Sequence, residues 1–189
     1  TRNWTRRFYR SGTALESPRA SIDMTESISR EAFKAVMRRV PTGVTIVTSV
    51  FEGLRRGMTA NAFASVSMDP PLVLVCVNRS AVSHDYIAKA QIFCVNLLGV
   101  EQVELAKRFA SRMERDQFEG VALRTGHTGA PVISGALAYL DCTLVAAHEA
   151  GSHTIFIGRV TDAGGRDGKP LGYFDGDYRD FGHEIGASP

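Results

Sequence analysis

The sequence has few features of an extracellular, membrane-embedded or metal-dependent protein. Its 189 residues include only three cysteines, Cys76, Cys94 and Cys142. An odd number of cysteines without paired spacing argues against a disulfide framework and against a cysteine-based metal site. No apolar run approaches the ~18–20 residues that a membrane span requires, and the first residues lack the apolar core of a secretory signal. We therefore expect a cytoplasmic protein without a metal site.

A strong charge of either sign is also lacking. The formal net charge is +2, with 44% hydrophobic and 22% charged residues, which is typical of a globular domain. Residues 1–20 hold five arginines and one glutamate, so the rest of the chain is net negative. Such an arm can bind nucleic acid, but we favour an arm that packs on the domain or on a partner subunit. We expect a basic arm, residues 1–28, and one domain, residues 29–189.

Strand patterns outnumber helix patterns along the chain. Apolar residues recur with helical spacing in residues 29–40, and residues 101–112 read as an amphipathic helix. Residues 78–90 read as a loop that leads into a short helix. β-branched or alternating runs predict strands at 43–50, 57–68, 72–77, 92–98, 136–150, 153–163 and 171–174. Residues 115–135 read as a loop. Short connections between many strands predict a mainly β fold, an antiparallel barrel with peripheral helices.

Several familiar motifs are incomplete. "HEAGSH", residues 148–153, places its second histidine one residue too far for a zinc-protease helix. "GGRDGKP", residues 164–170, lacks both the first glycine and the final Ser or Thr of a phosphate loop, and a hairpin turn explains it better. No G-x-G-x-x-G follows a strand into a helix, so a Rossmann site is unsupported.

The segment "GMTANAFASVSMDPP", residues 57–71, has an unusual alternation. Read as one strand, it places small apolar side chains on one face and short polar ones on the other, with only Phe63 interrupting the polar face. A solvent-facing strand normally carries longer polar residues. Short side chains instead permit close approach by a flat, polar ligand. The polar set is Thr59, Asn61, Ser65 and Ser67.

Five fragments in order carry a family resemblance: "PTGVTIVTS", "GMTANAFASVSMDPPLVLVCVNRSA", "FCVNLL", "GSHTIFIGRV" and "PLGYFDGDYR". Together they resemble the flavin-reductase-like domain over roughly residues 29–182. The family contains small NAD(P)H:flavin oxidoreductases that supply reduced flavin to two-component monooxygenases. The resemblance implies a split β-barrel, a homodimer, and FMN or FAD bound near the subunit interface, with NADH or NADPH as the hydride donor.

The resemblance also implies which residues bind the cofactors. Those that flank the flavin ring and ribityl chain match Thr59, Ala60, Asn61 and Ala62. Those that reach the phosphate match Ser65, Val66 and Ser67, and a loop that closes on the phosphate matches Asn78, Arg79, Ser80 and Ala81. Further predicted cofactor-binding residues are Thr42, Cys76, Ser83, Phe109, Tyr178 and Arg179.

The same resemblance assigns His153 as the candidate catalytic residue, since the family's histidine lies by the nicotinamide. The family has an acid before this histidine, whereas this chain has Ser152. Because the cofactors carry the hydride chemistry, we expect His153 mainly to position them.

Three alternatives stay open. The electron acceptor could be a metal centre, such as the cobalt of cob(II)yrinic acid a,c-diamide in cobalamin synthesis. The protein could be a non-catalytic split barrel that binds flavin or haem. It could resemble pyridoxamine-phosphate oxidase, which would need a second phosphate site with more basic residues than Arg79, Arg179 and Lys89.

Overall fold

The computed structural model describes residues 28–111 and 116–182. The predicted basic arm therefore lies outside the described residues except for residue 28. Three α-helices, Arg30–Met37 (α1), Val82–Ala90 (α2) and Val103–Ala110 (α3), are described, and a 3₁₀ turn, Val100–Gln102, leads into α3. No helix in the described part of the chain is both long and apolar enough to span a membrane.

Twelve strands are described, in agreement with the predicted mainly β fold. In chain order they are β1 (Thr42–Gly43), β2 (Thr45–Phe51), β3 (Leu54–Ala60), β4 (Phe63–Met68), β5 (Pro71–Asn78), β6 (Ile92–Leu97), β7 (Leu123–Thr125), β8 (Pro131–Ile133), β9 (Ala138–Ala150), β10 (His153–Gly165), β11 (Leu171–Phe174) and β12 (Asp177–Asp180).

Seven strands form the main sheet in the order β3-β2-β6-β9-β10-β5-β4, with every neighbouring pair antiparallel. β3 and β4 lie at opposite edges of this sheet, yet only Asn61 and Ala62 separate them along the chain. Two residues can join opposite edges only if the sheet curls until those edges approach each other. The result is the split-barrel architecture expected from the sequence, with β3 and β4 not paired to each other.

The prediction of one continuous strand from residue 57 is wrong. β3 begins earlier, at Leu54, and the chain leaves the sheet at Asn61 before β4 begins on the other edge. β4 also contains a bulge between Ser65 and Ser67, and one extra residue reverses the alternation that follows it. Ser65 therefore pairs with Val73 and Ser67 with Leu72, on opposite faces. Phe63, predicted on the polar face, packs against the core.

The two largest apolar cores among the described residues lie on the two faces of the main sheet. The first fills the curl and includes Val47, Val75, Phe93 and Phe156, with Ile87 of α2 packed on it. The second lies between the sheet and α3. It is made by Val44, Ile46, Leu98, Ala106, Phe109, Phe118, Ile133 and Leu171. Helices α2 and α3 thus cover opposite faces of the sheet beside its β3 edge.

Two local predictions need correction. Residues 115–135, predicted as a loop, include the β7–β8 hairpin, whose three-residue strands are too short for a periodic signal. Residues 164–170 were predicted as a hairpin turn. However, β10 belongs to the main sheet and β11 to a separate sheet of order β1-β11-β12, so this segment is a connection between sheets. By contrast, "HEAGSH" lies in the β9–β10 hairpin, where Ala150 pairs with His153.

Candidate functional site

A cleft runs along β3, the edge strand of the main sheet. Because β3 pairs only with β2, its outer backbone N–H and C=O groups have no ladder partner within the sheet. α2 and α3 form the walls, and the cleft has a volume of about 630 Å³. The predicted site residues among its lining are Thr59, Asn78, Ser80, Ala81, Ser83 and Phe109.

Gly57 allows α3 to come this close to the edge strand. A Cβ atom at Gly57 would lie 2.6 Å from Cε1 of Phe109 and 3.2 Å from Cζ of Phe118. The two rings pack edge to face, with 5.0 Å between their centroids. Only glycine fits this contact, so residue 57 sets the position of the Phe109 wall.

Thr59 fastens the same wall. Its hydroxyl donates a 2.6 Å hydrogen bond to the backbone oxygen of Ala106 in α3. The side chain therefore ties α3 to β3, and it is the backbone and methyl group of Thr59 that remain for a ligand. Thr42 is different: its hydroxyl oxygen is buried on β1 without a hydrogen-bond partner among the described residues.

The cleft continues past Thr59 into two smaller ones. The first, of about 230 Å³, shares Thr59 and reaches Asn61, Tyr173 and Tyr178. The second, of about 410 Å³, shares Asn61 and Tyr173 and reaches α1 and Gly176. Each cleft shares lining residues with the next one, so the three clefts form one continuous groove. We call this run of clefts the β3 groove.

Two tyrosines form an aromatic wall of the β3 groove. The rings of Tyr173 and Tyr178 meet edge to face, with 5.5 Å between centroids. Partial burial is the main cause that raises the pKa of Tyr178, with a smaller effect from Tyr173, so its phenol stays neutral at physiological pH. A neutral phenol and two ring surfaces suit a flat aromatic ligand.

The other end of the groove carries hydrogen-bond donors. Oδ1 of Asn78 accepts hydrogen bonds from the backbone N–H and the hydroxyl of Ser80, both at 2.9 Å, which fixes the turn before α2. The N-cap residue of α2 is Ala81, which makes no side-chain cap bond. The first backbone N–H groups of α2 therefore lack a capping side chain beside the cleft, an arrangement that favours an anion.

Arg79 and His153 lie at the hairpin end next to this turn. Nη1 of Arg79 pairs with Oε2 of Glu149 at 2.8 Å, and its backbone N–H donates to the oxygen of Ser152 at 3.0 Å. His153 pairs with Asn78 across β10 and β5, so both side chains lie on one face of the sheet. Nδ1 of His153 lies 2.9 Å from the hydroxyl of Ser152, which occupies the position of the family's acid.

Other predicted residues are not among those that line the β3 groove. Ser65 and Val66 are exposed, and Ser67 is half-buried, on β4 at the opposite edge of the sheet. Ala60 is buried in the first core. Ala62 lies beside Cys76, since the backbone N–H of Cys76 donates a hydrogen bond to the Ala62 oxygen. The guanidinium of Arg179 pairs with the carboxylate of Asp177 at 2.8 Å.

Sequence reasoning missed Arg56, which lines the largest cleft of the groove. On β3 it is two residues before Met58, which packs on the first core, so both lie on the α2 face of the strand. Alternation counted back from Met58 could have identified it. Ser111 and Gln117, at the far side of the same cleft, were missed too.

The chain is similar to known proteins over most of its length. Residues 37–182 match the family model described as "Flavin reductase like domain". The reductase subunit HsaB of a flavin-dependent monooxygenase from Rhodococcus jostii is 37% identical over 154 residues, covering 81% of this chain and 78% of that protein. An NADH-dependent FAD reductase from Streptomyces globisporus is 41% identical over 145 residues, covering 75% of this chain and 79% of that protein.

Two solved structures have a fold similar to that of this chain. The flavin reductase PheA2 superposes with a TM-score of 0.76 at 37% identity, covering 82% of this chain and all of that one. The Streptomyces globisporus NADH:FAD oxidoreductase SgcE6, solved with NAD and FAD fragments, gives a TM-score of 0.78 at 38% identity, covering 86% of this chain and 99% of that one.

Proposed function

The chain belongs to the flavin-reductase-like domain family, and from this premise we propose that it is an NAD(P)H-dependent flavin reductase. It takes hydride from a reduced nicotinamide, passes it to FMN or FAD, and delivers reduced flavin to a partner monooxygenase. The observation that carries this proposal is the β3 groove, which joins an uncapped helix start at one end to an aromatic wall at the other.

The residues of the groove fit a flavin. Its ring is flat with hydrogen-bonding atoms on one edge, and the free edge of β3 offers backbone groups to such an edge. The ring and ribityl chain lie at Thr59–Ala62, with Tyr178 as part of the wall. The phosphate lies at Asn78–Ala81 and Ser83, where hydroxyl and backbone N–H groups supply donors.

Bound flavin supplies the redox chemistry by accepting a hydride from the nicotinamide. The protein's part is to orient both rings and exclude water. We propose that His153 contacts the nicotinamide from the β10 end, with Ser152 orienting its imidazole through Nδ1. The remaining proposed contacts are Thr42, Ser65, Val66, Ser67, Cys76, Phe109 and Arg179. Arg79 belongs to the phosphate turn through its backbone, because its guanidinium pairs with Glu149.

We also propose a homodimer, because two apolar surfaces lie open, one on α1 beside the groove and one on β4 at the opposite edge of the sheet. No residue of α1 is buried, and its apolar side chains Phe33 and Val36 are 55% and 61% exposed. On β4, Val66 is 45% and Met68 90% exposed. Apolar side chains at this exposure commonly mark interfaces. A second copy that covers them also brings Ser65 and Ser67 of β4 beside a subunit interface.

The similar proteins favour a flavin reductase over the three alternatives raised by the sequence. The names of the proteins reported above describe reductases of flavin or of a flavin-dependent monooxygenase. A cobalt-corrin reductase, a non-catalytic flavin or haem protein, and an oxidase with a second phosphate site gain no specific support from the groove.

The decisive experiment measures NADH and NADPH oxidation by purified protein with FMN, FAD, riboflavin or a cobalt corrin as acceptor. We expect nicotinamide oxidation that depends on added flavin, and anaerobic bleaching of the flavin. A protein that binds flavin but oxidises neither nicotinamide would be a binding module. Faster oxidation with the corrin than with any flavin would identify a metal-centre reductase.

A further inference from the structure

We infer that Arg56, and not Arg79, supplies the positive charge that binds the flavin phosphate. The inference rests on the proposed function, because it names the cation of the same groove. Sequence resemblance points to the loop that contains Arg79. A different arginine, Arg56, lines the cleft and forms no ion pair in the part of the chain that the structure describes.

Arg56 has the features of a cation without its anion. Within the described residues, its Nε atom is buried without a hydrogen-bond partner and its guanidinium forms no ion pair. Its Cζ lies 5.7 Å from the ring centroid of Tyr86. A buried donor without a partner costs free energy. A bound anion would satisfy this donor.

The position of Arg56 directs that charge into the phosphate end. Arg56 lines the same cleft as Asn78, Ser80, Ala81 and Ser83. Tyr86 lies one helical turn beyond Val82, the first residue of α2, so its contact holds the guanidinium beside the start of that helix. Free N–H groups of a helix start and an arginine fork together provide the donors that a phosphate dianion needs.

Arg79 is in the opposite situation. Its guanidinium pairs with the carboxylate of Glu149 at 2.8 Å, and both side chains are largely exposed. This pair is neutral overall, and it faces solvent at the β9–β10 hairpin. A phosphate would have to displace Glu149 to use that charge. Arg79 is also not among the residues that line the described part of the cleft.

Arg55, the neighbour of Arg56, provides a matched control. It lies on the other face of β3, where it pairs with Asp116 at 3.7 Å and lies over the ring of Phe118. The two arginines are consecutive residues of β3. A variant at Arg55 therefore removes a similar charge from the same edge without changing the phosphate end of the groove.

The test measures the dissociation constants of riboflavin, FMN and FAD with Arg56→Met, Arg79→Met and Arg55→Met, by quenching of flavin fluorescence. Charge-assisted hydrogen bonds to a phosphate are the stronger class. We expect Arg56→Met to weaken FMN and FAD about tenfold or more and to leave riboflavin, which has no phosphate, within about twofold. Arg55→Met and Arg79→Met should leave all three constants within about twofold. Salt should weaken FMN binding less in Arg56→Met than in the unmodified protein.

Each other outcome overturns the inference or its premise. Equal weakening of riboflavin and FMN by Arg56→Met, or a larger effect of Arg79→Met, would show that Arg56 is not the phosphate cation. A raised Michaelis constant for NADH with unchanged FMN affinity would place its charge on the nicotinamide cofactor. If Arg56→Met folds poorly, Arg56→Lys keeps the charge, and its FMN affinity should exceed that of Arg56→Gln. Unmodified protein that binds no flavin would refute the proposed function itself.

Discussion

Replacing Gly57 by alanine should destabilise the protein through one steric contact. The added Cβ would lie 2.6 and 2.7 Å from Cε1 and Cδ1 of Phe109, and 3.2 Å from Cζ of Phe118. Ordinary carbon contacts lie near ~3.5–4.0 Å. The Phe109 ring must therefore move by roughly 1 Å. The Phe109 ring is only 3% exposed, and Phe118, which packs against it, is equally buried.

The magnitude follows from two opposing effects. Overpacking of a well-packed core costs about 1–3 kcal/mol. Alanine also restricts the unfolded chain, which offsets about 0.4–1 kcal/mol of that cost. We expect Gly57→Ala to lower the free energy of unfolding by about 1–2 kcal/mol. Because Phe109 lines the groove, the displaced ring should also weaken flavin binding.

Urea denaturation followed by circular dichroism measures the change. Gly43→Ala is the control, since a Cβ there meets nothing within 4 Å. Without a steric cost, the restricted unfolded chain should leave this variant as stable as the original or more stable by up to about 1 kcal/mol. In a double-mutant cycle, Phe109→Leu should remove part of the penalty of Gly57→Ala. A Gly57→Ala protein as stable as the original, or more stable, would refute the argument that close packing at this strand requires glycine.

Three further predictions test the site and the assembly. His153→Ala should leave flavin affinity intact while it raises the NADH Michaelis constant or lowers turnover by up to about 10²-fold; loss of flavin affinity without a separate NADH effect would mean a structural role. A thiol reagent should modify half-buried Cys76 in the native protein, more slowly with flavin bound. Cys94 and Cys142 should stay unmodified, because burial raises both thiol pKa values, that of Cys142 to about 12; three equal rates would contradict this. Met68→Asp should shift sedimentation from dimer to monomer, and an unchanged dimer would place the interface elsewhere.

Local sequence patterns determined the elements of this protein. Helical spacing in residues 29–40 predicted α1, whose N-cap Ser29 accepts a hydrogen bond from the Ala32 N–H. β-branched runs predicted β2 and β6. Such features depend on neighbours within a few residues, so a single sequence carries them. The order of five short fragments added the family, and with it the flavin reductase function and the residues proposed to bind the cofactors.

Tertiary structure decided which of those residues meet and which charges are free. Asn61 and Ala62 read as part of a strand, but they join opposite edges, because pairing with β2 and with β5 is a non-local choice. The partner of Arg79 is Glu149, 70 residues away, so no local pattern reveals that this charge is already neutralised. In the sequence, Arg56 is one of two adjacent arginines between the predicted strands 43–50 and 57–68. Only the packing of α2 beside β3 makes it a half-buried arginine that forms no ion pair within the described residues, because burial and ion pairing depend on residues that the fold brings together.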